Sequence, residues 1–155
     1  MVPMGRFRDK CAEAFTQGEH YKLEAIEERS WKSHQHYFAC VHDGWLNLPE
    51  QCAMETWAQS SEHLRKYALI KTGWFNSQTH VCDSEAEATR WATRLRPRTE
   101  FGIVVARGTT VIEYEAQTQS MKGMGKADFQ KSKDDVLGFI ASLSGSLPEQ
   151  LGGAA

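Results

Sequence analysis

The residues able to do chemistry fall into a few short clusters. His34, His36, Cys40 and His42 crowd one stretch. On a helix, His36 and Cys40 are one turn apart and share a face, which suits two metal ligands or a thiol beside a base. A structural zinc site wants four ligands, usually with a second tight pair. Here Cys11, Cys52 and Cys82 are scattered with no CxxC, and His63 and His80 are distant. The expectation is packed or surface histidines, four free thiols acting as small buried hydrophobes, and no metal or other cofactor. Gly123-Met124-Gly125-Lys126 resembles a phosphate loop only in outline. The phosphate loop needs GxxxxGK followed by Ser or Thr; here the spacing differs and Ala127 follows the lysine. This reads as a glycine turn feeding a helix, whose N-terminus with Lys122 and Lys126 offers a phosphate non-specific attraction. There is no GxSxG, no HExxH and no pair of carboxylates in an apolar setting, so no catalytic residues are expected.

The strongest chemical signal is basic. Arg90, Arg94, Arg96 and Arg98 lie in a stretch without acids, interleaved with Trp91. Arg65, Lys66 and Lys71 form a second group, and Lys122, Lys126, Lys131 and Lys133 a third. The acids Glu19, Glu24, Glu27 and Glu28 are grouped elsewhere. Such segregation builds a positive stripe on a chain whose net charge is only −2, and phosphate backbones are held that way, with aromatic rings stacking on unpaired bases. The competing reading is a solvated face, with Glu87 pairing Arg90.

These residues need elements to position them. A chain of 155 residues with ordinary apolar content fits one domain, spanning 1–145, with 146–155 as a flexible tail. His20–Glu27 alternates as a strand, with Tyr21, Leu23 and Ala25 on one face. Apolar residues at helical spacing predict helices near 30–46 (His34, Phe38, Val41, Trp45), 61–72 (Leu64, Ala68), 84–96 (Ala88, Trp91, Leu95) and 126–143 (Phe129, Val136, Ile140, Leu143). Ser30, Ser60 or Ser61, and Asp83 or Ser84 are the expected caps, and Gly73 and Gly145 the expected stops. Gln78–Cys82 is a candidate short strand. Residues 101–116 read as a hairpin turning at Arg107-Gly108, with Ile112, Tyr114 and Ala116 inward and Glu113 and Glu115 outward. The predicted fold class is α+β: a small antiparallel sheet of hairpin 101–116 plus strand 20–27, with helices 30–46 and 126–143 packed on its inner face.

No apolar run approaches the length of a membrane span, and the first residues lack a signal-peptide core. The expected setting is cytoplasmic, with no membrane partner.

Arg29-Ser30-Trp31-Lys32-Ser33-His34-Gln35-His36-Tyr37-Phe38-Ala39-Cys40-Val41 resembles the signature helix of the NinB (Orf) recombination-mediator family of lambdoid phages. Arg29, Ser30, Tyr37, Phe38 and Ala39 fit its pattern, while Ser33 and His34 stand where that family has Gln-Asn. Residues 62–71, and Ser120-Met121 followed by Phe129 and a last helix, look like elements of uncharacterised prophage proteins. The resemblance implies a non-catalytic homodimer that binds single-stranded DNA and assists phage recombination or replication. Joined to the basic clusters, it gives Arg29, Lys32, Arg65, Lys66, Arg90, Arg94, Arg96, Arg98, Lys122 and Lys126 as candidate nucleic-acid contacts. The alternative is a phage-encoded interaction factor whose partner is a host or phage protein, such as an inhibitor of a host defence complex.

Overall fold

The computed structural model describes residues 31–96, 101–120 and 122–145. Helix α1 runs Trp31–Leu46 and α2 Ser61–Lys71, with two short 3-10 turns between them at Glu50–Cys52 and Thr56–Ala58. Strand β1 (Phe75–Val81), helix α3 (Glu85–Leu95), strands β2 (Gly102–Arg107) and β3 (Thr110–Ala116), and helix α4 (Lys126–Ser144) follow. The α+β class and the four helices agree with the sequence reading.

Local chemistry sets the boundaries. Ser60 accepts a hydrogen bond from the His63 N–H at 3.1 Å and starts α2. Ser84 does the same for Glu87 at 3.2 Å, and the Glu87 carboxylate returns to the Asp83 N–H at 3.0 Å. Each satisfies amides that a helix start leaves without partners. Gly145, at φ +69°, closes α4 in the left-handed region.

The sheet is antiparallel in the order β1-β3-β2. Arg107 pairs with Thr110, so the two-residue loop is Gly108-Thr109, one residue later than expected. Gly108 carries the positive φ that such a turn demands at its first position. The third strand is Phe75–Val81 rather than the shorter Gln78–Cys82. Strand 20–27 and tail 146–155 lie outside the described residues.

Two clusters make the core. The larger joins α1, α2 and α4 through Tyr37, Val41, Leu64, Leu69, Phe129, Val136 and Ile140. The smaller packs Ala88, Ala92 and Leu95 of α3 on Val111 and Cys82, with Val104 beside them. The expected layering therefore changes: α2 and α3 make the main helix contacts with the sheet, and α1 and α4 pack chiefly on α2 and each other. The sheet meets the core on both sides of its pleat. Val111 lies under α3, and alternation puts Glu113 and Val104 on that same side. Ile112 and Tyr114 project to the other side, level with Val105 and Ile103 of β2, and all four are half-buried. Of the expected inward set, Ala116 packs against the larger cluster.

Two helical stripes shift as well. On α1 the buried side is Tyr37, Cys40, Val41 and Gly44, while Phe38 is exposed. On α3, Ala92 takes the place expected of Trp91, whose ring is 42% exposed and lies parallel to His80.

Candidate binding clefts

Residues of α1, α2 and the stretch after β3 meet at one place. Tyr37 and Phe38 of α1, Glu62, Arg65 and Lys66 of α2, and the stretch after β3 surround a cleft of about 400 Å³ and the polar network beneath it. Gln119 is its hub. The Gln119 Oε1 accepts from the Tyr37 hydroxyl at 2.9 Å and from Arg65 Nη1 at 2.6 Å. Its Nε2 donates to Ser132 Oγ on α4 at 2.7 Å. Arg65 also forks onto Glu62, with Nε to Oε2 at 2.8 Å and Nη2 to Oε1 at 2.6 Å. The sequence reading placed Arg65 among surface phosphate contacts; it is only 9% exposed and committed to these partners.

Electrostatics make this network a fixture rather than a reactive centre. Burial pushes the Tyr37 hydroxyl up to about 12, so it stays a neutral donor at ordinary pH. Burial opposes the Arg65 charge, but the Glu62 carboxylate outweighs it and holds the guanidinium firmly charged. Burial alone would raise Glu62, yet the Arg65 hydrogen bond and charge win and hold it below the usual glutamate range. Cys40 lies 3.5 Å from His36 Nε2, as the helical spacing suggested. Burial pushes its thiol up, the wrong direction for a nucleophilic thiolate. Among the described residues no cluster of three or more His, Cys, Asp or Glu could hold a metal ion.

A second cleft, of about 510 Å³, opens on the other side of Phe101. The Trp45 indole donates to the Ala58 carbonyl at 2.6 Å and ties the 3-10 turn Thr56–Ala58 to α1. That turn lays Trp57 on Tyr67 of α2, with ring centroids 4.7 Å apart and planes 6° from parallel. Phe101 stands edge-on to Tyr67 and against His63. Two cations line this aromatic wall: Lys71, whose Nζ lies 5.5 Å from the Tyr67 ring centre, and Arg96 from the end of α3.

The expected cations are carried by several elements. Arg90 and Arg94 are exposed one turn apart on α3. At about 100° per residue both point away from the buried Ala88 and Ala92. Neither is ion-paired with a described residue; Glu87, the expected partner of Arg90, is turned back to Asp83. Arg96 projects instead into the second cleft. Lys66 lies 4.0 Å from Glu62, beside the first cleft. Lys32 is exposed on α1, and Lys122 and Lys126 are exposed around the start of α4, on different elements from the arginines. Arg29 and Arg98 lie outside the described residues.

Among the described residues, the chain forms a β-α-β-β unit with three further helices and the two clefts above. No family model, curated relative or solved structure matches the chain. Sequence reasoning missed the cleft walls Trp57, Tyr67 and Phe101 and the hub Gln119. The aromatic content was a visible signal; their convergence from separate segments was not.

Proposed function

We propose that this protein is a non-catalytic binding module for single-stranded nucleic acid, and that it serves phage recombination or replication as the resemblance implies. The observation that carries the reading is Trp91. Its half-exposed ring lies parallel to that of His80, with centroids 6.1 Å apart, one position from Arg90 and one turn from Arg94. Exposed guanidiniums beside a braced aromatic ring match the way sequence-tolerant single-strand binders hold phosphate and stack bases.

The test is binding of a labelled single strand over a range of salt. Replacing Arg90 and Arg94 by Ala should weaken binding to all sequences alike and flatten the log–log salt slope by about 0.7 for each phosphate that is no longer neutralised. Stability should move by less than about 0.5 kcal/mol, as for other surface changes. A wild-type protein without affinity at low salt would refute the reading.

A protein partner is the second reading, and one observation favours it. Register puts Phe75, Ile103, Val105, Ile112 and Tyr114 on the sheet face opposite α3, all half-buried, with Val81 81% exposed on the same side. Contiguous apolar surface of this kind marks contact sites, including contacts between copies of one chain.

A further inference from the structure

We propose that the second cleft is a nucleotide site: a planar base lies against the wall of Trp57, Tyr67 and Phe101, and its phosphate is held by Lys71 and Arg96. The assignment does not depend on Arg90, Arg94 or Trp91. Three features of the cleft support it.

The first is size and wall. A volume of about 510 Å³ falls in the range of small-molecule sites, roughly 300–1,000 Å³. The wall is rigid, because Trp57 is stacked on Tyr67, Tyr67 is braced edge-on by Phe139 and Phe101, and the Trp45 indole anchors the turn carrying Trp57. A preordered aromatic wall costs little side-chain entropy on binding a flat ring.

The second is charge. Lys71 and Arg96 bring two full positive charges against one carboxylate, Glu55, among the lining residues. Both cations sit at helix C-terminal ends. Those ends carry about half a negative charge each, which helps hold the cations but works against an anion. The long side chains carry their charges beyond the helix ends, so the site keeps a positive balance. Neither side chain is ion-paired with a described residue.

The third is a polar reader beside the wall. His63 Nδ1 is 3.2 Å from the Thr56 carbonyl oxygen. When Nδ1 donates there, Nε2 of the neutral ring is an acceptor, suited to an exocyclic amino group on a base.

The probes are adenosine monophosphate, adenosine, inorganic phosphate and a deoxyadenosine oligonucleotide. The readout is the NMR signal of the Trp57 indole N–H, assigned by its loss in Trp57→Phe. Adenosine monophosphate should shift that signal, and adenosine or phosphate alone should bind roughly tenfold or more weakly. That factor corresponds to one charge-assisted hydrogen bond. Lys71→Gln and Arg96→Gln, both at exposed positions, should each cost about tenfold for the monophosphate and leave adenosine unchanged. An oligonucleotide that shifts the same signal where the monophosphate does not supports the site as a holder of one unit of a strand; the reverse supports a free nucleotide. The proposal is overturned if neither probe moves the Trp57 signal, or if both Gln variants bind the monophosphate like wild type. An oligonucleotide that binds through Arg90 and Arg94 while Trp57 stays silent would leave the strand reading standing and remove this one.

Discussion

Replacing Gln119 by Leu should be among the most damaging single changes in the described part of the molecule. Leucine keeps much of the volume but removes every polar atom of the hub. The Tyr37 hydroxyl loses its acceptor and Arg65 Nη1 loses the bond that ties it to the last third of the chain. Ser132 fares better, because its hydroxyl still donates to the Phe129 carbonyl at 2.9 Å. An orphaned buried donor costs about 1–3 kcal/mol, so two orphans give about 2–6 kcal/mol. That is a large share of a typical total of about 5–15 kcal/mol. Tyr37→Phe is the informative companion. It removes one donor and strands none, since Gln119 Oε1 keeps Arg65, so it should cost only about 1 kcal/mol. In the double variant no tyrosine hydroxyl is left to strand. It should therefore be less destabilised than the sum of the singles by about 1–3 kcal/mol. Urea unfolding with linear extrapolation measures all three. If Gln119→Leu costs no more than Tyr37→Phe, or the two effects simply add, Gln119 is not the hub of a buried network.

The other expectations concern the same helix pair. Glu62 has its folded-state pKa depressed by Arg65, so its contribution is present above the ordinary glutamate value and is lost as pH falls through the lower folded value. Acid titration of stability should therefore be shallower in Glu62→Gln than in wild type; identical curves would show the Arg65 contact to be without consequence. Ser60→Ala removes the side-chain acceptor for the His63 amide and should cost about 1 kcal/mol by thermal or urea unfolding. Glycine at the same place should cost only a few tenths.

What the sequence made legible was local. Ser60, Ser84, Gly108 and Gly145 each act on amides or turns within a few residues, so their roles follow from type and spacing. Pairings across the chain were less accessible. Apolar periodicity chose Phe38 over Tyr37 on α1, because nothing near Tyr37 shows that its hydroxyl will meet an amide 82 residues away. Arg65 looked like a surface cation for the same reason: its burial depends on Glu62 and on Gln119 from beyond β3. The hairpin was plain from its turn, yet its faces were assigned by putting glutamates outward, and α3 covers the Val111 side as well. Strand β1 is mostly polar and lacks alternation, so its full length emerges only through pairing with β3. Arg90 and Arg94 were found as a pair, but the divergence of Arg96 depends on where α3 ends against the cleft.

The strand order β1-β3-β2 has a consequence for when the molecule can assemble. Both outer strands run antiparallel to β3, so they run parallel to each other and share no hydrogen bonds. On the ribosome, β1, α3 and β2 emerge in turn with no strand partner available. The last strand closes the tight Gly108 turn onto β2 and then fills the gap beside β1. Hairpin closure takes about microseconds, whereas the β1–β3 union must close a loop containing all of α3 and is intrinsically slower. Slowing the hairpin by a substitution at Gly108 should therefore lengthen the time for which two unpaired strand edges and the apolar sheet face are open to other nascent chains.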